Sequence, residues 1–320
     1  MAHAEPEVDY RLSDDDENIH SVWDNGIEPV LSVEPGEVVQ FECRDALDGQ
    51  LGRDSTAEDV PAVSLDPVHP LTGPVAVEGA EPGDVLQVDL LDLQHEGWGY
   101  TCFLPGEAGL GLLPEAFPDP GLHVWDLEDD VGHFVNGIEV RLDPFPGIAG
   151  VAPGEPGEHD TLPPRAVGGN MDIKHLTAGS TLYLPVAVEG ALFSTGDCHA
   201  AQGDGEVCVT GVEAPMTVTA RFDVRDDVEV EQPQFRTGHP FTPTGKDEPM
   251  YGTAGIADDL MDATRKAILY MIDHLEAERG LTREEAYILC SAAVDLKINE
   301  VVDAPNWTVS AYLPESIFPE

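Results

Sequence analysis

Short apolar runs rich in β-branched and aromatic residues recur along most of the chain, and glycine and proline separate them. Apolar and polar positions alternate within several runs, which is the pattern of a strand with one buried face. With 32 Gly and 27 Pro in 320 residues, the sequence favours many short strands over long helices. The predicted strands are Val38 to Cys43, Val85 to Leu93, Gly137 to Leu142, Thr181 to Val188, Val207 to Val212 and Thr217 to Val224.

The pattern changes after Pro249, where apolar residues begin to recur at intervals of three and four. This period predicts an amphipathic helix over 256–279, closed by Gly280 as the residue after the last turn. Thr282 and Glu285 form a capping box, which predicts a second helix to about Asn299. We therefore expect a mainly β chain with sandwich-like or barrel-like sheets and an α/β C-terminal part that contains a helical pair.

The sequence PVAVEGA occurs twice, at 74–80 and at 185–191. This repeat predicts two equivalent strand-and-turn elements that pack in related sheets. Glu78 and Glu189, one from each copy, could alternatively face one site, so Glu78 is a second-tier site candidate. The changes of pattern along the chain predict a β-rich domain over 1–160, a central β-rich segment over 161–245 and an α+β segment over 246–320.

Acidic side chains dominate the charge: 62 Asp and Glu stand against 15 Lys and Arg, and the formal net charge is −47. The acids are spread along a chain with 42% hydrophobic residues, which indicates a folded acidic surface and not a disordered tail. Because such a surface repels itself unless salt screens it, the composition predicts a salt-adapted, halophilic protein. The scarcity of basic residues argues against nucleic acid as a partner.

The sequence carries no recognisable signal for export or membrane insertion. Its first residues lack the basic start and apolar core of a signal peptide, and no run of about 18 apolar residues occurs. The five cysteines are odd in number and scattered, which is typical of reduced thiols and not of a disulfide framework. We expect a cytoplasmic protein, with no membrane partner, that forms a homo-oligomer of two or more chains.

The densest group of chemically useful side chains lies between Gly168 and Glu213, in glycine-rich turns around a predicted strand. Turns anchored by a rigid sheet often present metal ligands or acid/base groups. Asp197 and His199 are two residues apart, so they share one face of an extended segment and can chelate one ion. With 62 acidic residues in 320, carboxylates alone prove little, and a solvated acidic loop is the alternative interpretation.

The same region resembles the central signature of the acetamidase/formamidase family, in GGNMDIKHLTAGSTLYLPV from Gly168 and GALFSTGDCHAAQGDGEV from Gly190. Further blocks extend the resemblance over most of the chain: PVHPLTGP and VEGAEPGD within 67–84, and FPGIAGVAP at 145–153. The family hydrolyses short-chain amides to a carboxylate and ammonia, and it is associated with a bound divalent metal, often zinc. The resemblance thus implies a small amide substrate and one divalent ion.

A metal-based mechanism assigns Asp172, Asp197 and His199 as ligands, because they supply two carboxylates and an imidazole and leave a position open for water. The imidazole favours zinc, although Mn, Fe or Ca also suits a set of two carboxylates and one histidine. Glu206 is the candidate general base, which accepts a proton from water and passes it to the departing amine.

Other polar residues of the region receive supporting roles. Asn170, with backbone amides near Gly168 and Gly169, is a candidate for binding the oxyanion, and Gln202 is a candidate for binding substrate. His175 and His69 are second-tier candidates that are expected to support the site and not to bind the ion.

Several alternatives remain open at this point. Cys198 could act as a nucleophile with Glu206 and Lys174, although a residue between Asp197 and His199 should point to the opposite face of a strand. Hydrolysis of a lactam or another C–N bond on the same site is a second enzymatic alternative. Two non-enzymatic alternatives are a metal- or ligand-binding β module that has lost catalysis and an oligomer-forming structural protein with an acidic coat.

Overall fold

The fold is dominated by strands, and the structure, a computed structural model, describes residues 6–104, 110–238, 249–301 and 305–319. Strands account for 38% and helices for 15%, so the prediction of a mainly β chain is confirmed. In the described residues the helices are α1 (Leu260–Arg279) and α2 (Arg283–Ala293), and the strands are β1 (Tyr10–Leu12), β2 (Ile19–His20), β3 (Leu31–Val33), β4 (Val38–Cys43), β5 (Leu71–Val77), β6 (Val85–His95), β7 (Trp98–Phe103), β8 (Gly121–Glu128), β9 (Val131–His133), β10 (Glu139–Arg141), β11 (Phe145–Val151), β12 (Gly168–Asn170), β13 (Thr181–Pro185), β14 (Phe193–His199), β15 (Met216–Arg225), β16 (Gln234–Arg236), β17 (Met250–Ala257), β18 (Asp295–Glu300) and β19 (Trp307–Pro314).

Two large sheets form the centre of the molecule. The first has the strand order β1-β4-β15-β6-β13-β16, and the second has the order β12-β11-β14-β5-β2, with β3 beside β5. Phe41 and Phe222 of the first sheet meet Phe193 of the second, with ring centroids 5.9 and 5.1 Å apart in edge-on geometry. Such buried aromatic pairs contribute about 0.5–1.5 kcal/mol each beyond the area they bury, so they help to fix how the sheets face each other.

Two smaller sheets complete the β structure, with the orders β10-β9-β8-β7 and β17-β19-β18. All the sheets in the described part of the chain are open, so the barrel-like alternative is not realised there. Both large sheets combine strands from before residue 160 with strands from after it. The division into 1–160, 161–245 and 246–320 stays a prediction, and its second boundary lies outside the described residues.

The two PVAVEGA copies pack directly against each other, one at the end of β5 and the other at the end of β13. The Val77 N–H donates to the Gly190 carbonyl over 2.9 Å, and the Gly190 N–H donates to the Ala80 carbonyl over 2.8 Å. Each copy turns at a glycine in the left-handed region, with φ of 81° at Gly79 and 75° at Gly190. The two copies therefore share the turn and pack together, but they are not equivalent strands, because 74–77 lies in β5 whereas β13 ends at Pro185, the first residue of the second copy.

Most of the predicted strands are present with shifted ends, and Val38 to Cys43 has its predicted bounds. The predicted strand Val207 to Val212 is wrong, because this segment runs through turns. Its apolar residues are buried beneath α2, where the Tyr287 hydroxyl donates to the Val207 carbonyl and Cys208 N–H donates to the Ser291 hydroxyl. A tertiary contact therefore supplies the burial that the sequence pattern attributed to a sheet.

The predicted helical pair is confirmed. Helix α1 ends at Gly280, whose φ is 67°, and the Thr282 side chain accepts from the Glu285 N–H in the predicted capping box. Helix α2 ends at Ala293, before the predicted end near Asn299, because Asp295–Glu300 pairs as β18 with β19. Neither helix in the described residues combines the length and apolarity needed to span a bilayer.

Candidate active site

Strand β14 supplies the first two side chains of the candidate site at its C-terminal end. Asp197 and His199 are 3% and 1% exposed, and Asp197 Oδ1 lies 3.5 Å from His199 Nε2. The neighbouring strand β11 pairs antiparallel with β14, with Pro146 opposite Cys198 and Ile148 opposite Gly196, so that Gly147 lies beside Asp197. The structure therefore brings together the two residues that the i, i+2 spacing predicted to be neighbours.

Asp172 reaches the same place through its backbone, which is held by β11. The N–H groups of Met171 and Asp172 both donate to the Gly147 carbonyl, over 3.1 and 3.2 Å. Asp172, Asp197 and His199 thereby present ligand atoms that all lie within 4.8 Å of one another. A Cβ added to Gly147 would lie 2.8 Å from Asp172 Oδ1 and 3.1 Å from His199 Nε2, so only glycine fits beneath these atoms.

Two glutamates approach His199 from the other side. Glu213 Oε2 lies 3.1 Å and Glu206 Oε1 lies 3.8 Å from His199 Nε2. Glu213 is held by backbone pairing with Tyr100, and its Oε1 accepts from the Gly211 N–H over 2.7 Å. Glu206 lies in a turn closed by its own N–H donating to the Gly203 carbonyl over 3.1 Å. We call Asp172, Asp197, His199, Glu206 and Glu213 the His199 cluster.

The ring orientation of His199 is set by Gln202. His199 Nδ1 lies 2.7 Å from Gln202 Oε1, an acceptor, so in the neutral ring Nδ1 carries the proton and the Nε2 lone pair faces the carboxylates. Gln202 Nε2 donates to the Asp172 carbonyl over 3.1 Å. Gln202 therefore orients His199 and Asp172, and its predicted contact with substrate stays a prediction.

Three buried atoms of the cluster make no hydrogen bond to any described residue: Asp172 Oδ1, His199 Nε2 and Glu213 Oε2. All three are acceptors in this ring tautomer, and unpaired buried acceptors are strongly unfavourable. Acceptors that face one another require a cation or a proton between them. The donor set of carboxylate oxygens and one imidazole nitrogen thus fits a divalent metal ion.

The pKa values of the acids in the cluster are shifted in different directions. Burial raises the pKa of Asp172 to about 7 and the pKa of Glu213 to about 8. Burial, followed by the charge of Asp172, also raises the pKa of Glu206 well above its usual range. For Asp197, burial acts in the same direction, but the imidazoles of His69 and His199 outweigh it and lower the pKa.

The pKa of the His199 imidazole is raised, because nearby carboxylates outweigh the effect of burial. Burial disfavours the charged form of His199, but Glu213 and Asp197 outweigh burial and raise the His199 pKa well above its usual value. The cluster as a whole therefore holds protons at neutral pH that a divalent ion would displace.

Backbone strain coincides with the cluster. Asp172, Asp197 and Glu206 have φ of 48°, 50° and 42°, in the left-handed region that non-glycine residues seldom occupy. Each such residue costs about 1–3 kcal/mol and persists where the surrounding structure fixes it, commonly at functional sites. The coincidence of three strained residues with three converging carboxylates marks this cluster as the candidate active site.

The other predicted residues lie at various distances from the cluster. His69 contacts it from the side, with Nε2 3.8 Å from Asp197 Oδ2. Asn170 Nδ2 donates one hydrogen bond to the Leu162 carbonyl over 3.0 Å, and its buried Oδ1 has no partner among the described residues; its role as an oxyanion donor stays a prediction. His175 is half-buried and lies outside the His199 cluster, and Glu78 is exposed and accepts from the Ser32 hydroxyl over 3.4 Å.

The residues of the thiol alternative are separated by their partners. Cys198 is buried, and its contact with Cys43 together with burial raises the thiol pKa well above its usual range. Lys174 forms an ion pair with Asp295, and the same carboxylate accepts from the Asp204 N–H over 3.1 Å. Lys174 thus links the Asp172 loop to the C-terminal part of the chain.

Sequence reasoning missed Glu213 and Gly147. Glu213 is an acid flanked by Val212 and Ala214, and such an apolar setting is the one local sign of a buried acid. Gly147 lies in a run of glycine and proline in which no position stands out. Its importance comes from the close approach of β11 to Asp172, which is a tertiary feature.

Comparison with known proteins gives concordant matches over nearly the full chain. The sequence profile of the acetamidase/formamidase family matches residues 6–156 and 157–320. The formamidase of Methylophilus methylotrophus is 30% identical, over 98% of this chain and 92% of the relative. The acetamidase of Mycolicibacterium smegmatis is 32% identical, over 94% of this chain and 91% of the relative.

Solved structures match as well. A γ-lactamase from Delftia acidovorans superposes with a TM-score of 0.90 at 30% identity, over 97% of this chain and 94% of that chain. An acetamidase from Bacillus halodurans gives a TM-score of 0.67 at 32% identity, over 95% and 97% of the two chains.

Proposed function

The chain belongs to the acetamidase/formamidase family and is an amidohydrolase that acts on short linear amides, and we propose that it cleaves them at the His199 cluster with the help of one divalent cation. The products are a carboxylate and ammonia. The observation that carries the proposal is the convergence of buried, unpaired acceptor atoms from Asp172 and His199 beside Asp197.

Asp172, Asp197 and His199 would hold the cation. Potential ligand atoms fall into two groups that share His199: one with Asp172 and Asp197, the other with Glu206 and Glu213. Because Nε2 has a single lone pair, the two groups cannot each use it for a separate ion, and the proposal is of one ion. When bound, a divalent ion polarises the amide carbonyl and lowers the pKa of water at the site toward about 7. Zinc is the ion that the sequence favours for this set of three ligands.

Glu206 is the proposed general base. Its side chain is 19% exposed, against 1% for His199, so it is the better placed of the two to meet water and substrate. Its raised pKa makes it a stronger base than an exposed carboxylate. Glu206 accepts a proton from the attacking water and delivers it to the nitrogen, so that the leaving group departs as ammonia.

The thiol alternative is disfavoured by the same geometry. A buried Cys198 whose pKa is raised provides little thiolate, and Lys174 is engaged with Asp295. The inactive-module alternative is disfavoured because the relatives are enzymes and the candidate ligands and base converge here.

Hydrolysis of a γ-lactam is a second candidate activity. The TM-score of 0.90 with a γ-lactamase, against 0.67 with an acetamidase, favours testing a cyclic amide beside linear ones. Both activities cleave a C–N bond of a carboxamide and would use the same residues.

The test combines metal analysis with ammonia release from formamide and acetamide, and ring opening of a γ-lactam, in molar salt. We expect chelation to abolish activity and a divalent ion to restore it. His199→Ala should lose both metal and turnover, whereas Glu206→Gln should keep the metal and lose kcat by roughly 10²- to 10⁴-fold. Glu78→Gln, an exposed glutamate outside the cluster, is the matched control and should behave as wild type.

Full activity in a sample verified to be free of metal, with loss of activity on alkylation of Cys198, would show that the reaction depends on the Cys198 thiol and not on a metal. Near wild-type turnover of Glu206→Gln would show that another group is the base.

A further inference from the structure

Glu213 is the acid of the His199 cluster that has no role in the mechanism above. It is 1% exposed, and its two oxygens differ: Oε1 accepts from the Gly211 N–H over 2.7 Å, whereas Oε2 has no hydrogen-bond partner among the described residues. The unpaired oxygen points at the centre of the cluster, 3.1 Å from His199 Nε2.

The short contact between Glu213 Oε2 and His199 Nε2 joins two atoms that are both acceptors once the carboxyl group and the ring have lost their extra protons. His199 Nδ1 faces the Gln202 amide oxygen over 2.7 Å and carries the ring proton, so its Nε2 presents a lone pair to Glu213 Oε2. Both atoms are buried acceptors without a donor in the described part of the chain. Two acceptors this close need a proton or a cation between them, and a cation that displaces the proton would have both atoms as ligands.

Glu206 and Glu213 differ in their access to solvent, and this difference separates their roles. The Glu206 side chain is 19% exposed and that of Glu213 is 2% exposed. Glu206 can therefore exchange protons with water and substrate. Glu213 is shielded from solvent, so it suits the role of a metal ligand and not that of a general base, which must exchange protons with water.

We propose that Glu213 is a fourth protein ligand of the cation, an inference that rests on the metal-dependent function proposed above. The complete set is then three carboxylates and one imidazole, from Asp172, Asp197, Glu213 and His199. Catalytic zinc sites usually keep three protein ligands and one open position, so four ligands would fill the tetrahedral sphere of zinc. An oxygen-rich set that still admits water suits an ion of octahedral preference, such as Mn²⁺.

Titration of the metal-free, full-length protein with Mn²⁺ tests this inference. Removal of groups that only support a ligand typically weakens binding by about 10- to 100-fold, so Glu213→Gln should weaken it by about 100-fold or more. Glutamine keeps an oxygen for the Gly211 N–H and removes the charge. The matched control is Asp45→Asn, which changes a buried carboxylate that accepts from Tyr100 outside the cluster, and it should bind Mn²⁺ as wild type does.

A second readout separates ligation from a structural role. In Glu213→Ala no side-chain oxygen remains, so water should enter the coordination sphere and raise the water-proton relaxation rate per bound Mn²⁺. If Glu213→Gln binds Mn²⁺ with wild-type affinity, or if Glu213→Ala leaves the relaxation rate per bound ion unchanged, the inference is overturned while the proposed function stands. If the wild-type protein binds no divalent ion, the proposed function itself fails.

Discussion

Replacing Gly147 with alanine would place one methyl group against three atoms of the His199 cluster. The new Cβ would lie 2.6 Å from the Asp197 carbonyl oxygen, 2.8 Å from Asp172 Oδ1 and 3.1 Å from His199 Nε2. Gly147 is not among the residues with positive φ, so the backbone itself tolerates alanine. The perturbation is therefore steric, and it acts on the space between the proposed ligands.

The structure sets the size of the expected effect. The contact at 2.6 Å is with backbone of the paired strand β14, which cannot rotate away, so strands β11 and β14 must separate or Asp172 must move. Inserting one methylene into a packed interior typically costs about 1–3 kcal/mol. Since domains are stable by about 5–15 kcal/mol, Gly147→Ala should still fold, with a melting temperature lowered by a few degrees. Cation affinity should fall by about 10- to 100-fold or more, as for other changes that displace metal ligands.

The assay measures melting by circular dichroism, bound metal by mass spectrometry and ammonia release, all on Gly147→Ala and on Gly154→Ala. Gly154 is the matched control, because its added Cβ would approach no closer than 3.6 Å, to Ala187 Cβ. We expect the control to resemble wild type in all three measurements. Wild-type metal content and turnover in Gly147→Ala, below its melting temperature, would refute the placement of the cation against β11.

Two further predictions concern the conditions of the solution. In the metal-free protein, burial raises the pKa of Asp172 to about 7 and that of Glu213 to about 8, above their unfolded values near 4. The native state then binds more protons than the unfolded chain between about pH 4 and 8. The free energy of unfolding of the metal-free protein should therefore fall as pH rises through that window, and it should fall less steeply in Glu213→Gln. Urea unfolding at pH 5 to 8 measures this, and a constant or rising stability would contradict it. The formal charge of −47 predicts that the melting temperature rises in both NaCl and KCl as the Debye length shortens from about 10 Å at 0.1 M toward about 3 Å at 1 M, and a melting temperature unchanged between 0.1 and 3 M would refute salt adaptation.

Local signals in the sequence predicted the elements that local interactions stabilise. The alternating run Val38 to Cys43 is a strand because one face is buried between the sheets, and Thr282 with Glu285 begins α2 through hydrogen bonds made within one turn. The run Val207 to Val212 has the same local composition as a strand, yet it is buried beneath a helix that lies about eighty residues further along the chain. No property of that run alone distinguishes the two outcomes, because burial satisfies its apolar side chains in either case.

The candidate site also contains residues that local sequence signals could predict and one that they could not. Asp197 and His199 could be paired from sequence because a strand relates positions two apart, and Asp172 could be included because of its motif. Glu213 could not be singled out among 62 acidic residues, since what marks it is an unpaired buried oxygen, and pairing is visible only in three dimensions.

The i, i+2 spacing predicted that Asp197 and His199 are neighbours, but the backbone conformation at Asp197 is not the one that the sequence predicts. An antiparallel strand would have a φ of about −140° at Asp197, but its φ is 50°, and Asp172 and Glu206 share this left-handed conformation. Local preference opposes all three, so the tertiary structure must hold them there, and the free energy for doing so comes from the packed sheets on either side. These carboxylates have strained backbones and face one another and an imidazole nitrogen. Such an arrangement lowers the stability of the fold. The proposed cation would explain their convergence, and positions where local rules fail are where functional residues are expected.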